Sequence, residues 1–260
     1  MRAKILSLIL CSLFMLNACS DDELVVATAA NFMPFEYVEG KEFRGIDMDI
    51  AKVIADKLHK KLVIKDMEFD SVVTALASHN ADIAISGLTI NQTRAKVIDF
   101  SDTYFNASQM VIIESSDERF AHIHDKEQLL ETLRAIPNLK IGVQAGTTAQ
   151  FYVSGDKDWG FEGLANAEVK GFSNGALATI AMKNHQVDIV MIDEMPARAI
   201  VAASEGVSLL EIPLTNEQYA IGVAKGENEL KNQINAILQS MKDDGTMENI
   251  IKKHYAQGAN

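Results

Sequence analysis

The sequence predicts an α/β fold divided between two lobes, and three observations carry that prediction. From Glu23 onward, short runs rich in Val and Ile alternate with amphipathic stretches, as in a chain whose strands are separated by helices. Polar segments interrupt the rhythm, which suggests that the chain leaves one lobe and later returns. Finally, the sequence holds no internal repeat or low-complexity tract and only 4 prolines, so it is neither an array nor a disordered linker.

The strand candidates, in order, are Leu24 to Thr28, Leu62 to Lys65, Asp82 to Ser86, Met110 to Glu114, Lys140 to Val143, Glu168 to Gly171, Asp188 to Ile192, Ser208 to Glu211 and Ala220 to Ala224. Between them, Ile50, Val53, Ile54 and Leu58 fall at helical spacing, as do Val72, Val73, Leu76 and Ala77, then Ala176, Leu177, Ile180 and Ala181. Ile234, Ile237, Leu238 and Met241 predict a further helix, stopped at Asp243-Asp244-Gly245 where glycine can turn left-handed. The polar stretch from Ser115 to Pro137 reads as a crossing between lobes. The simplest model has the chain leaving the first lobe near Tyr104 to Ser108 and returning near Thr215 to Tyr219. One lobe then comprises 24–105 plus 219–260 and the other 106–218.

At the N-terminus, Arg2 and Lys4 precede an apolar run from Ile5 to Leu16 that is too short for a stable membrane span, so residues 1–18 read as a secretion signal. Leu16-Asn17-Ala18-Cys19 resembles the lipobox of bacterial lipoproteins. That likeness implies cleavage before Cys19, acylation of that cysteine and a short lipidated tether over 19–23; an ordinary cleavage site beside a chance cysteine is the alternative. Cys11 would leave with the signal, so no disulfide can form within the mature chain. About 240 mature residues, with 48% apolar composition for the whole chain, suffice for a core without cross-links.

The formal charge of −12 becomes −14 once Arg2 and Lys4 are removed, leaving 22 basic against 36 acidic residues. Such a surface repels nucleic acid and anionic lipid heads, so membrane association is expected through acyl chains, on the outer side of a bacterial membrane in the cell envelope. No second apolar stretch reaches the ~18 residues a span needs.

Four stretches could carry chemistry. Ala29 to Tyr37 follows a buried-looking strand, and loops at such strand ends line the ligand crevice of open α/β sheets. Phe32 and Phe35 there cover either core or ligand, with core the default for Phe35. Asp82 to Arg94 runs from a strand through a Ser86-Gly87-x-Thr89 turn to an arginine whose planar guanidinium suits a carboxylate; alone, Arg94 would read as a surface residue. Ile141 to Gln150 is a strand, a glycine turn and a helix start with free amides suited to an anion. No lysine follows Gly146, so a carboxylate fits better there than a nucleotide phosphate. Thr147 or Thr148 also serves as an ordinary helix cap. Asp193 ends an apolar strand, where it can pair with an ammonium group or merely cap the next helix.

In order and spacing these stretches resemble the extracellular amino-acid-binding proteins that feed ABC transporters, the glutamine, histidine, lysine-arginine-ornithine and arginine binders. The likeness runs from Leu24 to about Tyr255 and is most specific at Pro34-Phe35-Glu36, Gly45-Ile46-Asp47-Met48-Asp49-Ile50, Phe69-Asp70, Ser86 to Arg94 continuing to Asp99-Phe100-Ser101-Asp102, Gly146-Thr147-Thr148 and Asp244-Gly245-Thr246. It implies a two-lobed, type II periplasmic-binding-protein-like fold and a monomeric, non-enzymatic binding protein without cofactor or metal, partnered by an ABC permease. It further implies that Arg94 binds the ligand α-carboxylate with Thr89 and Thr148, that Asp193 and the Gly87 carbonyl take the α-ammonium, and that Phe32 and Phe69 sandwich the side chain. Ser86, Gln144 and Thr147 complete the expected set.

Asp47 and Asp49 read as the dipole-favoured start of a helix rather than a catalytic pair. His122-Ile123-His124 lacks an evident third ligand for a metal. Where relatives with basic or amide ligands often carry an aspartate, this chain has Ala29 and Ala30, and Gln144 offers amide hydrogen bonds where some glutamine binders have a lysine. The expected ligand is a polar or basic amino acid such as arginine, lysine, histidine or glutamine, then a small neutral one. Two other classes stand beside it: a cyclohexadienyl-dehydratase-like enzyme with Glu36 or Asp193 as acid, and a solute sensor.

Overall fold

The computed structural model describes residues 22–258, so the secretion signal and Cys19 lie outside the described residues. The described residues open with β1 (Glu23–Thr28), followed by the short strands β2 (Asn31–Phe32), β3 (Glu36–Glu39) and β4 (Glu42–Arg44), the last three forming a small antiparallel sheet of their own. Then come α1 (Ile46–Lys57), β5 (Lys61–Asp66), α2 (Phe69–Ala77), β6 (Ile83–Ala84), α3 (Gln92–Ala95) and β7 (Ile98–Ala107). A second lobe follows, with β8 (Gln109–Glu114), α4 (Lys126–Ala135), β9 (Leu139–Gln144), α5 (Thr148–Ser154), β10 (Ala167–Phe172), α6 (Gly175–Lys183), β11 (Ile189–Asp193), α7 (Glu194–Ala202) and β12 (Val207–Leu210). The chain rejoins the first lobe through β13 (Glu217–Ala224) and ends with α8 (Asn228–Asp243) and α9 (Thr246–Gly258).

The two large sheets repeat one plan. Their orders are β5-β1-β6-β13-β7 and β10-β9-β11-β8-β12. In each, three strands run parallel and are joined antiparallel to a strand entered across the lobe boundary, β13 in the first and β8 in the second. Both faces of each sheet are covered, which is why the strands read as near-continuous apolar runs. On β1, Leu24 and Val26 pack toward α1 and α8, while Ala27 on the opposite face meets α2 through Val72 and Leu76. On β8, Met110 and Ile112 face α6 and α7, and Val111 and Ile113 face α4 and α5.

Three features differ from the sequence expectation. The polar stretch from Ser115 to Pro137 is no crossing: it contains α4, whose Leu129 and Leu133 are fully buried in the second lobe. Its apolar stripe is only wide enough for one face, so polarity dominates the window. The chain passes between sheets at Ser108, with β7 ending at Ala107 and β8 starting at Gln109. The strand β7 was hidden because it lies at a sheet edge and carries Asp99, Ser101 and Asp102, whose polar groups find partners in Lys225, the Ile221 amide and Asn235. And Ala29 to Tyr37, expected as a loop, contains β2 and the start of β3, too short to show alternation.

Candidate functional site

The facing ends of the parallel strands build one site. The turns after β1 and β6 belong to the first lobe, and those after β9 and β11 to the second, which places the site at the strand-order switch of both sheets. Nine of the ten residues expected from the sequence line a single cavity between the lobes: Phe32, Phe69, Gly87, Thr89 and Arg94 from one side, Gln144, Thr147, Thr148 and Asp193 from the other.

Arg94 is buried, with 7% exposure, although its local sequence reads as surface. The Asn91 side chain caps α3 by accepting from the Arg94 amide at 2.7 Å. Nη1 donates to the Thr89 carbonyl at 2.7 Å, and Nη2 crosses to the Gly146 carbonyl of the second lobe at 3.1 Å. The Phe69 and Trp159 rings each lie 5.3 Å from its Cζ, in cation–π range. Burial lowers its pKa to about 10, with Glu217 and Asp193 opposing that shift, so it stays charged at neutral pH.

The β9 turn approaches closely from the other lobe. Gly146 adopts φ +76, and a Cβ there would stand 3.0 Å from Asp70 Cβ of α2, so conformation and space both require glycine. Thr147 sits at the N-cap position of α5 but makes no side-chain cap; its hydroxyl donates to the Gln144 carbonyl at 2.8 Å. Thr148 Oγ1 donates across the cleft to Thr89 Oγ1 at 3.2 Å, and Thr89 Oγ1 donates to Glu217 at 2.9 Å. Gln144 is 2% exposed; its Nε2 donates to Asn31 at 3.2 Å, while its Oε1 is buried without a partner.

Asp193 precedes α7 yet makes no cap hydrogen bond, so capping does not account for it. Its carboxylate accepts from Tyr219 Oη of the first lobe at 2.5 Å. Burial, then the nearby Glu217 charge, push its pKa up to about 7, against the lowering effect of the Tyr219 bond.

Ser86 does not line the cavity. Its hydroxyl is turned inward, donating to Glu36 at 2.7 Å and accepting from the Ala29 amide at 3.0 Å. Glu36, a candidate acid in the sequence, is fully buried with it and away from the cavity. Asp47 is likewise more than a helix start: it is fully buried, accepting from the Gly87 amide at 2.7 Å and Tyr104 Oη at 2.9 Å. Burial raises Glu36 well above its ordinary value, with the nearby Asp47 charge adding to the rise, and raises Asp47 to about 6. This pair underpins the Ser86-Gly87 turn. Sequence reasoning missed that role, and missed Tyr219, Glu217, Asn31 and Trp159 at the site altogether.

Among the described residues no cluster of three or more His, Cys, Asp or Glu side chains is placed to hold a metal, and no helix is long and apolar enough to cross a membrane. His122 and His124 are not enclosed.

Two lobes closing on a buried arginine and a buried aspartate define a protein built to enclose a small solute. The comparison with known families places it: the model of the bacterial extracellular solute-binding proteins, family 3, matches residues 24–257, and the chain belongs to that family. It is similar to the arginine-binding extracellular protein ArtP of Bacillus subtilis (strain 168), 27% identical over 94% of this chain and 94% of that one. Among solved structures it is similar to an ancestral arginine-binding protein bound to glutamine, with 36% identity, a TM-score of 0.79 and coverage of 90% and 97%. It also resembles the amino acid ABC transporter substrate-binding protein AbpA of Streptococcus pneumoniae bound to L-arginine, with 28% identity, a TM-score of 0.79 and coverage of 93% and 98%.

Proposed function

We propose that the chain captures a free amino acid in the cavity between its lobes and delivers it to an ABC importer. The observation that carries this reading is the placement of buried Arg94 and buried Asp193 on different lobes around one cavity. A zwitterion needs both its charges paired once water is excluded, and these groups supply one partner for each end. Arg94, with Thr89 and Thr148, holds the α-carboxylate; Asp193 and the Gly87 carbonyl hold the α-ammonium; Phe32 and Phe69 flank the side chain.

The ligand is a polar or basic amino acid, such as arginine, lysine, histidine or glutamine. The unpartnered Gln144 Oε1 favours a side chain ending in N–H donors, and the named relatives bind arginine and, in the ancestral case, glutamine. Binding draws together lobes comprising 24–105 plus 219–260 and 106–218, and the transporter distinguishes the closed form. The chain works as a monomer with the permease as partner and no catalytic step. Cleavage before Cys19 and acylation there tether it at the outer face of a membrane.

A thermal-shift screen of the twenty amino acids tests this, because a ligand at 100 times its dissociation constant adds ~2.7 kcal/mol of stability. At least one polar or basic amino acid raises the melting temperature; a flat screen rejects the reading.

A further inference from the structure

The loop between α5 and β10 reaches across the cleft, with Trp159 against Arg94 and Asp158 clear of the residues that line the inner cavity. It folds as a compact turn, with Asp156 and Phe161 exchanging backbone hydrogen bonds of 2.9 Å and Asp156 Oδ1 accepting from the Asp158 amide at 2.9 Å. At its tip, the Asp158 carboxylate pairs with Lys96 and accepts from Thr93 Oγ1 at 3.3 Å. Thr93 belongs to α3 and Lys96 caps it, so both partners flank Arg94. Trp159 stacks on Phe151 of α5 at 5.2 Å and on Phe161 at 5.7 Å, and its ring lies 5.3 Å from Arg94 Cζ. The loop is thus fixed to the second lobe by aromatic stacking and reaches the first only through α3.

Two cavities meet at this point. The inner one, lined by Arg94 and Asp193, measures about 10 Å³, room for about one water, so the lobes stand slightly further apart around a bound amino acid than they do here. The outer one measures about 670 Å³ and is lined by Trp159, Asn91 and Glu217; Thr89 lines both. A solute therefore enters only when the lobes part, and Trp159 stands beside Arg94 where the two spaces would join.

We propose that Asp158 and Trp159 form a latch that holds α3, and with it Arg94, against the second lobe, and so slows release of the enclosed ligand. Among the described residues, the other hydrogen bonds between the lobes run through Gln144, Gly146, Thr148 and Asp193, groups of the ligand site itself or next to it, and through Gln109 and Glu217 where the chain crosses. Asp158 meets no such group. It therefore sets how long the closed state lasts without taking part in recognition, and Lys96, Thr93 and Asp158 are positioning residues. The idea that closure retains an amino acid rests on the proposed function; the latch itself does not require any ligand.

Trp159 is the sole tryptophan of the chain, so intrinsic fluorescence reports on the latch directly. In the ligand-free protein, Asp158→Lys places like charges across the cleft and makes Trp159 more accessible to acrylamide, while the exchange of both charges in Lys96→Asp/Asp158→Lys restores protection. With L-arginine as probe, the single variant releases ligand roughly threefold faster and the double variant returns to near the wild-type rate. Unchanged quenching in Asp158→Lys, or a double variant no better than the single, overturns the latch. Failure of wild-type protein to bind L-arginine removes only the ligand arm and bears on the proposed function, because quenching still decides the latch.

Discussion

Two groups of buried acids lie within the same molecule and serve different ends. Glu36 and Asp47 sit inside the first lobe beneath the Ser86-Gly87 turn, with every partner in that lobe: Ser86, Gly87 and Tyr104. Asp193 is also buried, but its partner Tyr219 belongs to the other lobe and it lines the cavity. Burial raises the pKa of all three. Burial and a shifted pKa therefore do not mark a ligand group; what separates the two sets is whether their bonds stay in one lobe or span both. The first shapes the site from behind, and the second is available to a ligand that replaces or joins Tyr219.

The largest effect that separates the two is on binding. Asp193→Asn leaves the ligand ammonium without its ionic partner and weakens binding on the order of 100-fold or more, while stability holds or improves because a costly buried charge is gone. Titration calorimetry beside chemical denaturation measures both quantities. A stable Asp193→Asn protein that binds as well as wild type would erase the distinction.

Asp47→Ala shows the converse. It strips the Gly87 amide and Tyr104 Oη of their common buried partner and costs ~3 kcal/mol of unfolding free energy. The variant that still folds keeps much of its affinity, since the clamp itself is intact. Equal loss of stability in Asp47→Ala and Asp193→Asn would show that both groups are simply scaffolding.

A smaller effect appears with pH. Asp193 titrates near 3.8 unfolded and at about 7 in the fold, so across that window the folded state holds more protons and its stability falls as pH rises. Asp47, raised to about 6, adds a contribution of the same sign. A ligand ammonium favours the ionised Asp193, so affinity rises with pH over the window in which ligand-free stability declines. Asp193→Asn flattens the affinity profile but leaves the part of the stability slope that Asp47 supplies. Parallel trends in affinity and stability would contradict the assignment.

Much of the site is written locally and much is not. Gly87, Thr89, Arg94, Gly146, Thr147 and Thr148 fall in strand–turn–helix patterns whose geometry follows from glycine turns and caps, and nine of ten expected residues line one cavity. Ser86 is the exception because only the fold decides that its hydroxyl turns toward Glu36, 50 positions away in sequence. Tyr219 and Glu217 meet Asp193 and Thr89 through contacts 26 and 128 positions apart, which no window of sequence contains. The strand alternation was legible wherever both faces are buried. It failed at the edge strand β7 and at α4, where a narrow apolar stripe is outnumbered by solvent-facing charge.

The central claim is a clamp for both ends of a zwitterion. Titration calorimetry with L-arginine and with its decarboxylated analogue agmatine, on wild type and on Arg94→Ala, addresses it most directly. The clamp predicts tight binding of arginine to wild type, loss of roughly three orders of magnitude for agmatine, and a comparable loss of arginine binding in Arg94→Ala. Agmatine binding as tightly as arginine, or Arg94→Ala retaining wild-type affinity, would contradict it.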